Sequence, residues 1–178
     1  MRNIVAHTAG QPMPPNAPHT LDAIDRRILT HLQRNARMSN ARLAERVGLS
    51  PAPCLRRIRA LEEAGIIRDY VALVDSRAVD RAVTVFIEIR LDLQVKDRLD
   101  ILERAIREWP EVLECNLMTG DADYLLRVAV PDVDAYEHFL RDKLTRLEGV
   151  ASIKSSFALK QVKYTTALPI GAGRQPAT

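Results

Sequence analysis

The sequence predicts an α+β protein in two parts, helical at the N-terminal side and sheet-bearing at the C-terminal side. Three observations carry this. Apolar residues from Leu21 to Leu61 recur at three- and four-residue spacing, those from Val83 to Leu91 alternate, and the charge divides along the same line. Residues 21 to 81 hold 12 Lys/Arg against 8 Asp/Glu, whereas residues 82 to 170 hold 12 against 15. A basic N-terminal half suits phosphate, and a mildly acidic C-terminal half suits another task.

With 178 residues, 47% of them hydrophobic, the chain has the size and composition of one or two soluble globular domains. No stretch approaches the roughly 20 apolar residues of a membrane span. Residues 1 to 10 lack the apolar core of a signal peptide, so a cytoplasmic protein is expected. Cys54 and Cys115 stand far apart within apolar patterns, which predicts two small buried residues rather than a disulfide or a zinc site.

Taken in order, residues 1–19 contain Pro12, Pro14, Pro15 and Pro18 without apolar period and read as a flexible tail, in which His7 and His19 have no partner cluster. A first helix runs from about Asp22 to Asn35 on Leu21, Ile24, Ile28, Leu29 and Leu32, with His31 at its surface. Ser39 caps a second, short helix whose inner face is Leu43, Ala44 and Val47, and Gly48 stops it. Ser50 then opens a third helix, where Pro51 and Pro53 fall in the first turn and break no hydrogen bond. Cys54, Leu55, Ile58 and Leu61 form its buried stripe, leaving Arg56, Arg57 and Arg59 to point elsewhere, and Gly65 ends it.

A capped helix, a glycine, an apolar residue and a capped basic helix make a helix-turn-helix, whose second helix enters the DNA major groove. Residues 20–70 are therefore read as a winged-type helix-turn-helix domain that binds double-stranded DNA. Its candidate contacts are Ser39, Asn40, Ser50, Pro51, Ala52, Arg56, Arg57 and Arg59.

The β-branched run 66–74 reads as extended, and residues 71–82 as a linker. Val83 to Leu91 alternates as a half-buried strand, and a helix from Lys96 to Trp109 ends at Pro110. Val112 to Thr119 and Tyr124 to Val130 form a hairpin around Gly120-Asp121-Ala122-Asp123. Asp132 caps a helix to about Leu147, and Ile153, Ser155, Phe157 and Leu159 alternate along a fourth strand. This order is the ferredoxin-like βαββαβ unit, assigned to residues 83–168 with an extra extended piece from Val162 to Leu168, while 169–178 read as a tail. Thr84, Phe86, Glu88 and Arg90 give the first strand a mixed outer face that suits a dimer interface.

Residues 21–29 (LDAIDRRIL), 46–51 (RVGLSP), 54–58 (CLRRI), Thr119-Gly120-Asp121, Asp123-Tyr124-Leu125-Leu126 and Val130-Pro131-Asp132 together resemble the Lrp/AsnC family of bacterial transcription regulators. The resemblance spans roughly Leu21 to Leu168. It implies a homodimer built through the C-terminal sheets, further assembly to a tetramer or octamer, and control by an amino acid bound between dimers. The candidate effector residues are Thr119, Gly120, Asp121, Asp123 and Phe157. Ala122 stands where family members often carry an aromatic residue, which alters the pocket.

Asp121 and Asp123 could form an acid/base pair or a metal site, but no histidine or third carboxylate lies at ligand spacing. No catalytic residue, metal or cofactor is assigned beyond the amino-acid effector. The rival to an effector-responsive, sequence-specific regulator is a DNA-organising protein of low sequence preference, which three arginines and high oligomers would equally serve.

Overall fold

The computed structural model describes residues 20–92 and 96–171, without the side chains of 96–98. Residues 1–19 and 172–178, both expected to be tail, lie outside the described residues, as do His7 and His19. The chain divides into two units: residues 20–72 with 163–171 form one, and Leu73–Val162 the other.

The first unit contains α1 (Ala23–Arg34), α2 (Asn40–Val47) and α3 (Pro51–Glu63). A capping box opens α1: Asp22 Oδ1 accepts from the amides of Ile24 and Asp25, both at 2.8 Å, and Asp25 accepts from the Asp22 amide at 3.3 Å. The bond from the Asp25 amide, with Arg57 beside it, holds the Asp22 carboxyl below its usual range. Ser39 caps α2 by accepting from the Arg42 amide at 3.3 Å. Gly48 ends that helix at φ 74°, a left-handed conformation that a side chain would strain.

Ile28, Leu43, Cys54 and Leu61 are fully enclosed and, with Leu29, Leu32, Ala44 and Val47, make the core of this unit. Leu55 was expected among them but is 38% exposed. The inward stripe of α3 instead runs through Cys54, Arg57, Ile58 and Leu61, because positions three, four and seven beyond Cys54 share a face.

Residues 66–74, expected to be extended, join no sheet. Tyr70 turns back to donate its hydroxyl to Glu62 Oε1 at 2.9 Å; burial and this carboxylate raise the phenol to about 12. Residues 163–171 belong to the same unit, where the sheet domain is expected to reach Leu168 and a tail to follow. Ile170 packs on the helical core, and Leu168 and Gly171 bond to side chains of α1.

The second unit contains β1 (Val83–Leu91), α4 (Lys96–Arg107), β2 (Val112–Leu117), β3 (Tyr124–Val130), α5 (Val133–Asp142) and β4 (Val150–Phe157). The strands are ordered β2-β3-β1-β4 with every pair antiparallel, as a ferredoxin-like unit requires. Val85, Ile87 and Ile89 of β1 and Leu126 and Val128 of β3 are completely buried under Leu102 and Ile106 of α4 and Tyr136 and Phe139 of α5. Trp109 stands edge-on to Phe139, with ring centres 5.5 Å apart.

Several elements end earlier than expected. β2 stops at Leu117, α5 gives way to a 3-10 turn at Leu144–Arg146, and β4 stops at Phe157, leaving Leu159 outside it. Cys115, expected to be buried, is exposed because β2 is an edge strand. On the outer sheet face Phe86 is 40% exposed, with Arg127 and Ser156 as its cross-strand neighbours.

Candidate nucleic-acid interface and ligand cleft

The start of α3 is held by α2. Asn40 Nδ2 donates to the Pro51 carbonyl at 2.8 Å, tying the first turns of the two helices together, while its Oδ1 is buried without a hydrogen-bond partner. Arg27 Nη2 donates to the Arg46 carbonyl at 2.6 Å and so satisfies the end of α2.

Ser50 occupies the N-cap position of α3, but its hydroxyl makes no capping bond. The reason lies in the next residues: Pro51 and Pro53 have no amide hydrogen, so the usual third-position donor is missing. Pro51, Ala52, Arg56 and Arg59 are all exposed. Residues 52, 56 and 59 fall at i, i+4 and i+7 and share one side of the helix.

Arg57 departs from the expectation that it would join this face. Its Nη1 donates to Asp22 Oδ2 at 2.6 Å and to Asp25 Oδ1 at 2.8 Å. These bonds, Asp25 first, hold the guanidinium pKa above its ordinary value. Three residues after Cys54 and four before Leu61, Arg57 lies on the inward stripe, where it joins α3 to the first turn of α1. Ser39, which caps α2, is exposed, and Asn40 braces the start of α3.

In the second unit the loop between β2 and β3 borders a cleft of about 640 Å³ lined by Arg90, Leu91, Asp92, Gly120, Asp121 and Asp123. Asp123 builds it. Its amide donates to the Ile89 carbonyl at 2.9 Å, its carbonyl accepts from the Met118 amide at 2.8 Å, and its Oδ2 accepts from the Leu91 amide at 2.7 Å. The carboxylate, 7% exposed, thereby pins the loop to the end of β1. Gly120 has φ 124° and open space where a Cβ would sit, so it serves the turn itself. Asp121 is exposed at the cleft; Thr119 is exposed beside the turn but does not line it.

Phe157, expected at the same pocket, is elsewhere in the chain. It pairs in register with Val85, whereas the loop adjoins Ile89 and Leu91, about 13 Å along the strand. Its ring stands edge-on to Tyr136 at 5.2 Å, beside the hydrogen bond between the Tyr136 and Ser155 hydroxyls. Arg90, Leu91 and Asp92 were not singled out for the cleft. The antiparallel pairing of β1 with β3 brings the end of one strand beside the start of the other, and that pairing was the available signal. Among the described residues, no group of three or more His, Cys, Asp or Glu side chains is placed to hold a metal ion, and no helix is long and apolar enough to cross a membrane.

A helix-turn-helix with exposed arginines along its second helix, joined to a ferredoxin-like domain with a charged cleft, defines a DNA-binding regulator that carries a ligand-binding domain. Residues 21–68 match the winged helix-turn-helix DNA-binding model, and residues 84–168 match the Lrp/AsnC ligand binding domain. The chain belongs to the Lrp/AsnC family of transcription regulators. It is 43% identical over 150 residues to the leucine-responsive regulatory proteins of Salmonella typhimurium and Escherichia coli K12, a match covering 84% of this chain and 92% of each relative. Among solved structures it resembles a Neisseria meningitidis transcriptional regulator in complex with L-Met, at 45% identity and TM-score 0.81, over 84% of this chain and 97% of that one. Escherichia coli AsnC shares the fold at 29% identity and TM-score 0.77, over 83% and 98% of the two chains.

Proposed function

We propose that Arg56 and Arg59, with Ser50, Pro51 and Ala52 around the first turn of α3, read the operator, and that the cleft beside Gly120 binds a free amino acid as effector. The observation that carries the effector reading is the presence of both charges around one cleft, whose lining holds Arg90 together with Asp92, Asp121 and Asp123. A guanidinium pairs with an α-carboxylate through two parallel hydrogen bonds, and a carboxylate accepts from an α-ammonium group. The exposed Asp121 is the better ammonium partner, since Asp123 already holds the Leu91 amide. That the Neisseria relative was solved with L-Met supports an amino acid over other zwitterions.

The regulator acts on DNA in the cytoplasm as a homodimer that assembles further to a tetramer or octamer, and it catalyses no reaction. Half-exposed apolar side chains on the sheet, Phe86 at 40% and Leu117 at 65%, favour burial against another copy. Effector binding then biases assembly or DNA affinity by favouring one arrangement over another.

The test is a thermal-shift screen of the common amino acids on the parent and on Arg90→Gln. One amino acid should stabilise the parent and not the variant, because a ligand of the folded state raises stability by mass action. Equal shifts in both would remove the cleft from the proposal. Salt titration on operator and random duplex tests sequence preference: equal losses on both identify binding to phosphate alone.

A further inference from the structure

We propose that the outer face of α1 is a docking surface for the chain's own C-terminal segment, residues 163–171, and that this docking keeps the helix-turn-helix competent to bind DNA. Gln33 reads the backbone of Leu168 in both directions. Its Nε2 donates to the Leu168 carbonyl at 3.0 Å, and its Oε1 accepts from the Leu168 amide at 2.6 Å. A primary amide carries both a donor and an acceptor at one tip, as this pairing demands.

Two helical turns earlier, Arg26 Nη1 donates to the Gly171 carbonyl at 3.0 Å. The seven residues from Arg26 to Gln33 span about 10 Å of helix. Three extended residues from Leu168 to Gly171 span about the same. The segment therefore runs antiparallel to α1 with matched spacing, and between its two anchors Ile170 packs on the helical core. Leu168 itself is 75% exposed, so its contact is made through the backbone, and Ile170 supplies the apolar anchor.

The same α1 bears Asp22 and Asp25, which grip Arg57 of α3. A loosened α1 is thus transmitted to the recognition helix, which makes Gln33 and Arg26 positioning residues for DNA binding. The inference rests on the protein's binding DNA and not on which arginines make the contacts.

The experiment compares the full-length parent with Gln33→Leu, Ile170→Asp, Leu168→Pro and Leu168→Ala. It follows hydrogen exchange at the Leu168 amide, where present, and operator affinity at a temperature where circular dichroism shows each protein folded. The parent amide should be protected, and protection should persist in Leu168→Ala but vanish in Gln33→Leu. Operator affinity should fall about tenfold in Gln33→Leu, Ile170→Asp and Leu168→Pro, as the loss of one or two hydrogen bonds or of a partly buried apolar anchor implies, while Leu168→Ala binds as the parent does. Leu168→Pro removes the amide hydrogen and fixes φ at an exposed position outside the helical core, so it stays informative if Ile170→Asp unfolds. Exchange at the free-peptide rate in the parent, or unchanged affinity in Gln33→Leu and Leu168→Pro, overturns the proposal. Loss of DNA binding in Arg56→Ala with Leu168 still protected would bear on the DNA face alone.

Discussion

Nη1 of Arg57 bridges Asp25 Oδ1 at 2.8 Å and Asp22 Oδ2 at 2.6 Å, so the middle of the recognition helix is bolted to the first turn of α1. The Asp25 side chain is only 3% exposed, and its desolvation makes the guanidinium a structural counter-ion. Arg57→Ala should therefore lower unfolding stability by about 1–3 kcal/mol. Chemical denaturation would reveal this, and a variant as stable as the parent would deny the clamp.

Arg56 should behave in the opposite way. It is exposed, and Arg56→Ala should leave the denaturation midpoint unchanged but cost about 1–3 kcal/mol of operator binding if it makes a bidentate base contact. Equal losses on operator and random duplex would assign it to phosphate.

The two cap serines give a second contrast. Ser39 accepts from the Arg42 amide, so Ser39→Ala should cost about 0.5–2 kcal/mol of stability. Ser50 makes no capping bond, so Ser50→Ala should change stability by less than about 0.5 kcal/mol and show its effect in DNA affinity. Paired melting and binding curves decide both.

Acid should weaken the helical unit through His31. Burial, followed by the charges of Arg46, Arg34 and Arg27, holds its pKa below 6.5. Below pH 6.5 the unfolded chain takes up a proton that the folded chain resists. The contribution is therefore complete above that pH and is lost as pH falls toward the folded pKa. His31→Gln should flatten stability across this window, and an unchanged slope would remove His31 as the cause.

Asp121 and Asp123 should separate structure from ligand. Asp123→Ala strips the Leu91 amide of its acceptor and should destabilise the second unit by about 1–3 kcal/mol as well as distort the cleft. Asp121→Ala should leave the melt alone and weaken amino-acid binding, which calorimetry measures. Tight binding by both variants would place the effector elsewhere.

What could be read in advance follows physical range. The bounds of β1 were legible because its buried side chains alternate, those of β3 because its apolar run lies between the Gly120 turn and Pro131, and the Ser39 cap because capping is local. Arg57 was misplaced because its partners are thirty-two and thirty-five residues away, although its spacing from Cys54 and Leu61 already put it on the inward stripe. Phe157 shows the same limit: its alternation was visible, but the strand register that sets it opposite Val85 depends on pairing. The docking of 163–171 left no mark in periodicity, since two of its anchors are backbone carbonyls that every sequence possesses.

The discontinuity of the first unit also orders the birth of the molecule. The three helices are all synthesised once Glu63 has been added and can pack as they emerge, but Ile170 joins their core only after the intervening unit has been made. Leu73–Val162 is contiguous and is translated in full before then. On the ribosome the sheet is therefore made before the DNA-reading head closes, and a nascent chain that stops short of Ile170 carries a head whose core still lacks its latch.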